Sequence, residues 1–181
     1  MAPRSLKAAL GALAAAVMLA ATPAFAQASE QAVKAAFIPK FARYVGFPAA
    51  AQPAASQPYY LCIIGRDPFG RAIDGAAVNE VIDGHAVAIR RFSNTDVPAV
   101  AGCHMAFVAG ASDAATAAML TALAHQPTLT ITDDRIGHAR GMIHFVVADG
   151  RVRFRIDQGA ATQRGIVISS RLLALAMDVK Q

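Results

Sequence analysis

Met142-Ile143-His144-Phe145-Val146-Val147-Ala148-Asp149-Gly150-Arg151-Val152-Arg153-Phe154-Arg155-Ile156 is the stretch that decides the fold. Two runs of strict alternation flank Asp149-Gly150, a dipeptide that accepts the positive φ angles of a two-residue hairpin turn. Such a turn fixes the register, placing Val147 opposite Val152, Phe145 opposite Phe154 and Ile143 opposite Ile156. Those six residues make one apolar face. Arg151, Arg153 and Arg155 point the other way, opposite Ala148, Val146 and His144. Three guanidinium groups at alternate positions suit either a solvated face that discourages edge association or a stripe that engages an acidic partner.

Outward from this hairpin, strand and helix patterns alternate. Leu129–Thr132 and His104–Val108 read as short buried strands, with Ser112 capping a helix from Asp113 to about His125 between them. Tyr60–Ile64 is another buried strand. It leads into Gly65–Gly70, which has the two glycines of a phosphate loop but continues Arg71-Ala72 where lysine and a hydroxyl are needed, so it reads as a turn that opens a short helix. Asp83-Gly84 closes a second hairpin between Glu80–Ile82 and His85–Phe92. Upstream, Val33, Phe37, Phe41 and Tyr44-Val45 recur at helical spacing, so a helix is expected over Gln31–Phe47. Pro39 should kink or split it. Downstream, a short helical turn is expected at Ile136–Arg140, a helical pattern at Gln158–Arg164, a strand at Ile166–Ile168 and a helix over Ser170–Met177. This order favours a single α/β domain with a central mixed sheet of about six strands flanked by helices.

The N-terminus speaks to compartment. Arg4 and Lys7 precede an apolar run, Ala8–Ala21, and Ala24-Phe25-Ala26 is a small-x-small cleavage site, the layout of a secretory signal peptide over residues 1–26. The run is shorter than the roughly 20 residues a transmembrane helix needs. Cleavage after Ala26 leaves residues 27–181 as one periplasmic domain starting at Gln27. It also lowers the formal charge from +5 to +3, too mild a charge to argue for nucleic acid.

Few residues suggest chemistry. The five histidines form no His-x-x-x-His pair, and no Gly-x-Ser-x-Gly elbow is present. Asp133, Asp134 and His138 are the one group whose spacing suggests a divalent ion, against the commoner reading of turn residues on the surface. No catalytic set, cofactor or metal is therefore expected. Cys62 and Cys103 are expected to pair, because an exported chain meets an oxidising compartment; the other reading is two buried free thiols. The bond would close a loop of 41 residues.

Five segments in series resemble the YfiR-like family of periplasmic proteins. Phe41-Ala42-Arg43-Tyr44-Val45-Gly46-Phe47-Pro48 resembles its Phe-x-x-Tyr-Val-x-Trp-Pro signature. Leu61–Gly65 with Asp67–Gly70 is similar to its first strand and turn, and Gly102–Val108 to its second cysteine strand. Gly141–Phe145 resembles its Gly-Met-Ile-Asn-Phe stretch, with His144 in place of Asn, and Ile168–Leu173 its C-terminal motif. The resemblance covers about Ala32–Met177. It implies a homodimeric repressor that is not an enzyme and that binds the periplasmic sensor domain of an inner-membrane diguanylate cyclase, controlling cyclic di-GMP and biofilm formation. An outer-membrane lipoprotein can sequester such repressors. The resemblance also carries the family's conserved disulfide onto Cys62 and Cys103. A periplasmic small-molecule binder, with its pocket at the carboxyl ends of the strands, is the alternative.

Overall fold

The computed structural model describes residues 23–94 and 100–181; the n-region and apolar run of the expected signal lie outside them. An eight-stranded mixed sheet forms the centre, in the order β10-β8-β7-β6-β5-β2-β4-β3. Its strands are β2 (Tyr59–Gly65), β3 (Val81–Ile82), β4 (His85–Phe92), β5 (Met105–Ala109), β6 (Leu129–Asp133), β7 (Ile143–Ala148), β8 (Arg151–Asp157) and β10 (Asp178–Lys180). The run β4-β2-β5-β6-β7 is parallel, while β3 and β8 pair antiparallel with β4 and β7. A second, two-stranded sheet joins β1 (Val45–Gly46) to β9 (Val167–Ile168).

The last hairpin has the expected register at all six pairs. Asp149 and Gly150 both take positive φ, at 51° and 69°, which the two-residue turn requires. Because strand side chains alternate, the sheet has two faces with separate cores. Leu61, Ile63, Met105, Phe107, Leu129, Ile131, Phe145 and Phe154 belong to the larger, inner core. Cys62, Ile64, Ala106 and Val108 face the smaller, outer core under the helix Asp113–Ala122. That helix starts where the sequence places it: the Ser112 hydroxyl accepts the Ala115 N–H, one of the amides a helix start leaves unpaired.

The first helix differs from expectation. α1 runs from Pro23 to Phe37, a 3-10 segment follows at Ile38–Tyr44, and the chain is already extended at Val45. Pro39 lies where α gives way to 3-10, as its missing N–H dictates. The buried face is also rotated: Lys34, Ala35, Ile38 and Phe41 point inward, while Val33 and Phe37 are 38% and 43% exposed. Two more expectations are corrected. A turn at Asp134–Ile136 replaces the helical turn at Ile136–Arg140. The C-terminal helix ends at Leu173, tight turns carry the chain through Ala176, and Met177 N–H then donates to Phe154 O as β10 begins.

Candidate functional site

A groove of 490 Å³ opens on the inner side, between the 3-10 segment and the C-terminal run Leu172–Leu175. Phe41, Phe154 and Leu172 form its floor. Phe41 is held there by the rings of Phe145 and Phe154, at centroid distances of 5.8 and 5.4 Å. Phe37 and Leu175 form an apolar rim, with Leu175 60% exposed. Lys40 and Arg43 supply charge. Arg43 Nη2 lies 2.6 Å from Glu80 Oε2, whereas Lys40 is exposed and makes no ion pair or hydrogen bond among the described residues. Val33, one helical turn from Phe37 and also exposed, extends the apolar patch along α1. The groove thus presents hydrocarbon edged by Lys40 and by the Arg43–Glu80 ion pair, an exposed apolar surface of the kind that gains by being covered.

The first and last of the family-like segments supply Phe41, Arg43, Tyr44 and Leu172 to this groove. Val45 and Gly46 pair with Ile168 and Val167, and Ser169 N–H donates to Tyr44 O. The first and last segments are therefore neighbours in space. Phe47 reaches the second cysteine strand, its ring 5.9 Å from that of His104.

Cys62 and Cys103 are bonded, with their Cα atoms 5.8 Å apart. The bridge ties β2 to the segment entering β5 inside the outer core, where Cys62 is fully buried and Cys103 is 4% exposed. It sits beside Val100, which is buried in the same outer core.

The acidic pair divides. Asp133, 2% exposed, turns inward and accepts from Lys34 Nζ. Asp134 turns outward, 3.5 Å from His138 Nδ1 and 3.8 Å from His144 Nε2. No group among the described residues is arranged to hold a metal ion. Glu30 adds to the inner network, accepting from Lys34 and Arg135. Burial pushes its carboxyl up, but those two cations outweigh burial and leave it below the usual range. Sequence reasoning missed this network and the groove. The Glu30–Lys34 spacing was a signal for one pair; nothing local pointed to Asp133 or to Leu175.

At the carboxyl ends of the parallel strands, the switch point between β2 and β5 is closed. Gly65 takes φ +84° there, and a Cβ would strike Ala109 O. Arg66 N–H donates to Ala109 O, and its guanidinium bonds Gly110 O at 3.0 Å and Ile136 O at 3.2 Å. Asp67 Oδ1 accepts from the Phe69 and Gly70 amides, so the glycine turn spends two donors on itself. A shallow cleft of 260 Å³ beside Gly65 is lined by Asp67 and Arg91, already paired at 2.8 Å. The arginine row is open at its tip, with Arg151 and Arg153 exposed and Arg155 half-buried.

These features describe an α/β domain built around a stapled sheet with an apolar groove on its inner side. Residues 31–177 match the model of the YfiR/HmsC-like family, and the chain belongs to that family. No curated protein matches it. No helix among the described residues is long and apolar enough to cross a membrane.

Proposed function

We propose that the mature domain is a periplasmic repressor that holds an inner-membrane diguanylate cyclase inactive by binding its periplasmic sensor domain. The groove carries this reading: Phe37, Leu175 and Val33 remain exposed beside Lys40, which has no ion partner among the described residues, although the larger core lies directly beneath. Family membership supports the same class of partner. A domain that adds no membrane helix among its described residues acts on cytoplasmic chemistry by biasing a spanning partner. Moving that partner from 1:99 to 99:1 needs about 5.5 kcal/mol of differential affinity. Homodimer formation and capture by an outer-membrane lipoprotein belong to the same proposal. So does export with cleavage after Ala26.

The test is genetic and biochemical together. Deleting the gene should raise cyclic di-GMP, and the mature protein should copurify with the cyclase from solubilised envelopes. Cys103→Ser should partly mimic the deletion by shrinking the folded pool. Unchanged cyclic di-GMP in a deletion strain that expresses the cyclase overturns the proposal.

A further inference from the structure

His104 stands at the junction of two clefts on the opposite end of the sheet from the switch point. One, of 410 Å³, runs toward His125 and Thr128; the other, of 290 Å³, runs toward Arg90 and Gln57. Ala50, Ala51, Ala101 and Gly102 belong to the walls of both. The imidazole is only 8% exposed. It is clamped among rings, with Tyr59 at 4.9 Å, Phe47 at 5.9 Å and Tyr60 at 6.2 Å between centroids.

Its hydrogen bonding settles which nitrogen is available. Tyr60 N–H donates to Nδ1 at 2.9 Å, so Nδ1 is the acceptor and the ring hydrogen sits on Nε2. Nε2 has no partner among the described residues. Unlike Nε2 of His144, it is not sealed from solvent. The ring thus offers one rigid, pre-oriented donor to the clefts, and no aspartate or glutamate among the described residues lines either of them. Around that donor the larger cleft is mostly apolar, with Ala50, Ala51, Ala101 and Pro127 in its wall, whereas the smaller one mixes apolar groups with Gln52, Gln57 and Arg90.

We infer that the larger cleft is a binding site for a small monocarboxylate with an apolar body, whose carboxylate accepts from His104 Nε2 while its hydrocarbon lies against Ala50, Ala51 and Ala101. The inference is independent of the cyclase reading, since the cleft and the groove share no lining residue. A carboxylate is favoured over a neutral acceptor because hydrogen bonds to a charged partner are the stronger class. An apolar body is favoured over inorganic phosphate because most of the larger cleft's wall is apolar, from Ala50, Ala51, Ala101 and Pro127. The pocket is small and largely pre-formed, as ligand sites usually are.

Histidine-ring ¹H–¹⁵N spectra of the mature, labelled chain test this with three probes: sodium benzoate, benzyl alcohol and inorganic phosphate. Benzoate should shift the His104 resonances saturably, and bind about tenfold or more tighter than benzyl alcohol, the difference a charged acceptor makes. Ala101→Trp, at an exposed wall position, should abolish the shift while leaving His104 and its ring clamp in place. His104→Gln should abolish it too, but Ala101→Trp decides the matter if that variant folds poorly. No saturable shift at His104, equal affinity for benzyl alcohol, competition by phosphate at the same concentration, or unchanged binding in Ala101→Trp would each overturn the inference.

Discussion

Lys34 Nζ on α1 and the Asp133 carboxylate at the end of β6 meet inside the core at 2.7 and 2.8 Å, ninety-nine residues apart in sequence. Both side chains are fully buried, and Glu30 at 2.6 Å completes the pairing of the ammonium. This contact fixes the rotation of α1. With Lys34 turned to the sheet, Val33 and Phe37 are carried to the surface, where they frame the groove.

Removing one partner should therefore cost far more than removing both. Asp133→Asn or Lys34→Met alone should destabilise by about 3–5 kcal/mol, the range for stranding a buried charge. The double variant should recover much of that loss. Urea denaturation of the three variants and the parent measures it; additive losses would contradict the pairing.

In the last hairpin, Phe154 is 7% exposed and packs on Phe41 and Phe145. Phe154→Ala should cost about 3–5 kcal/mol. Arg153→Ala, on the open face of the same strand, should change stability by less than about 0.5 kcal/mol. Denaturation midpoints of the two variants test the assignment of faces.

Reduction of the Cys62–Cys103 bridge opens a loop of 41 residues. Chain entropy alone makes that worth about 4 kcal/mol, a large share of the ~5–15 kcal/mol that holds a domain folded. Cys62→Ser should show a loss of that order in urea, and native protein should bind no alkylating reagent before reduction.

Acid should weaken the fold through two histidines. Burial holds the imidazoles of His104 and His144 below their ordinary range, with His85 adding to the first and Arg140 to the second. Asp134 and Asp133 oppose the shift at His144 without cancelling it. For such groups the unfolded chain binds more protons than the folded one as pH falls below about 6.5. Their contribution is thus complete above that value and is lost as pH falls toward the depressed folded values. Stability measured at pH 7.5 should exceed that at pH 5, and His144→Asn should flatten the slope.

The groove predicts a separation of function from stability. Phe37→Glu and Leu175→Glu place charge on exposed rim positions, so denaturation midpoints should hardly move. Copurification with the cyclase and repression of cyclic di-GMP should both be lost. Variants that fold normally and still repress would remove the groove from the proposed interface.

The hairpins were legible because their information is local. Alternation assigns each side chain a face, and Asp83-Gly84 and Asp149-Gly150 set the register without help from the rest of the chain. The short β10 and the pair β1–β9 were not legible as a sheet. The strand expected at Ile166–Ile168 is present as β9, but β1 and β10 carry too little pattern, and the partners of all three lie far along the chain. The first helix failed for a different reason. Its apolar spacing named Val33, Phe37 and Phe41 as one inward face, but only Phe41 faces in.

By itself the sequence determined the α/β class, the strands of the core, the last hairpin's register and the two cysteines available to pair, because periodicity and turn chemistry act over a few residues. It also carried the five segments by which the chain resembles its family. Only the tertiary structure decided how α1 is rotated, which acid of Asp133-Asp134 is buried, and where open surface gathers. Those outcomes depend on a buried cation finding its partner across the sheet. Asp133 is buried at the end of β6, and an unpaired buried carboxylate costs several kcal/mol; turning Lys34 inward supplies its partner and leaves Val33 and Phe37 only 38% and 43% exposed.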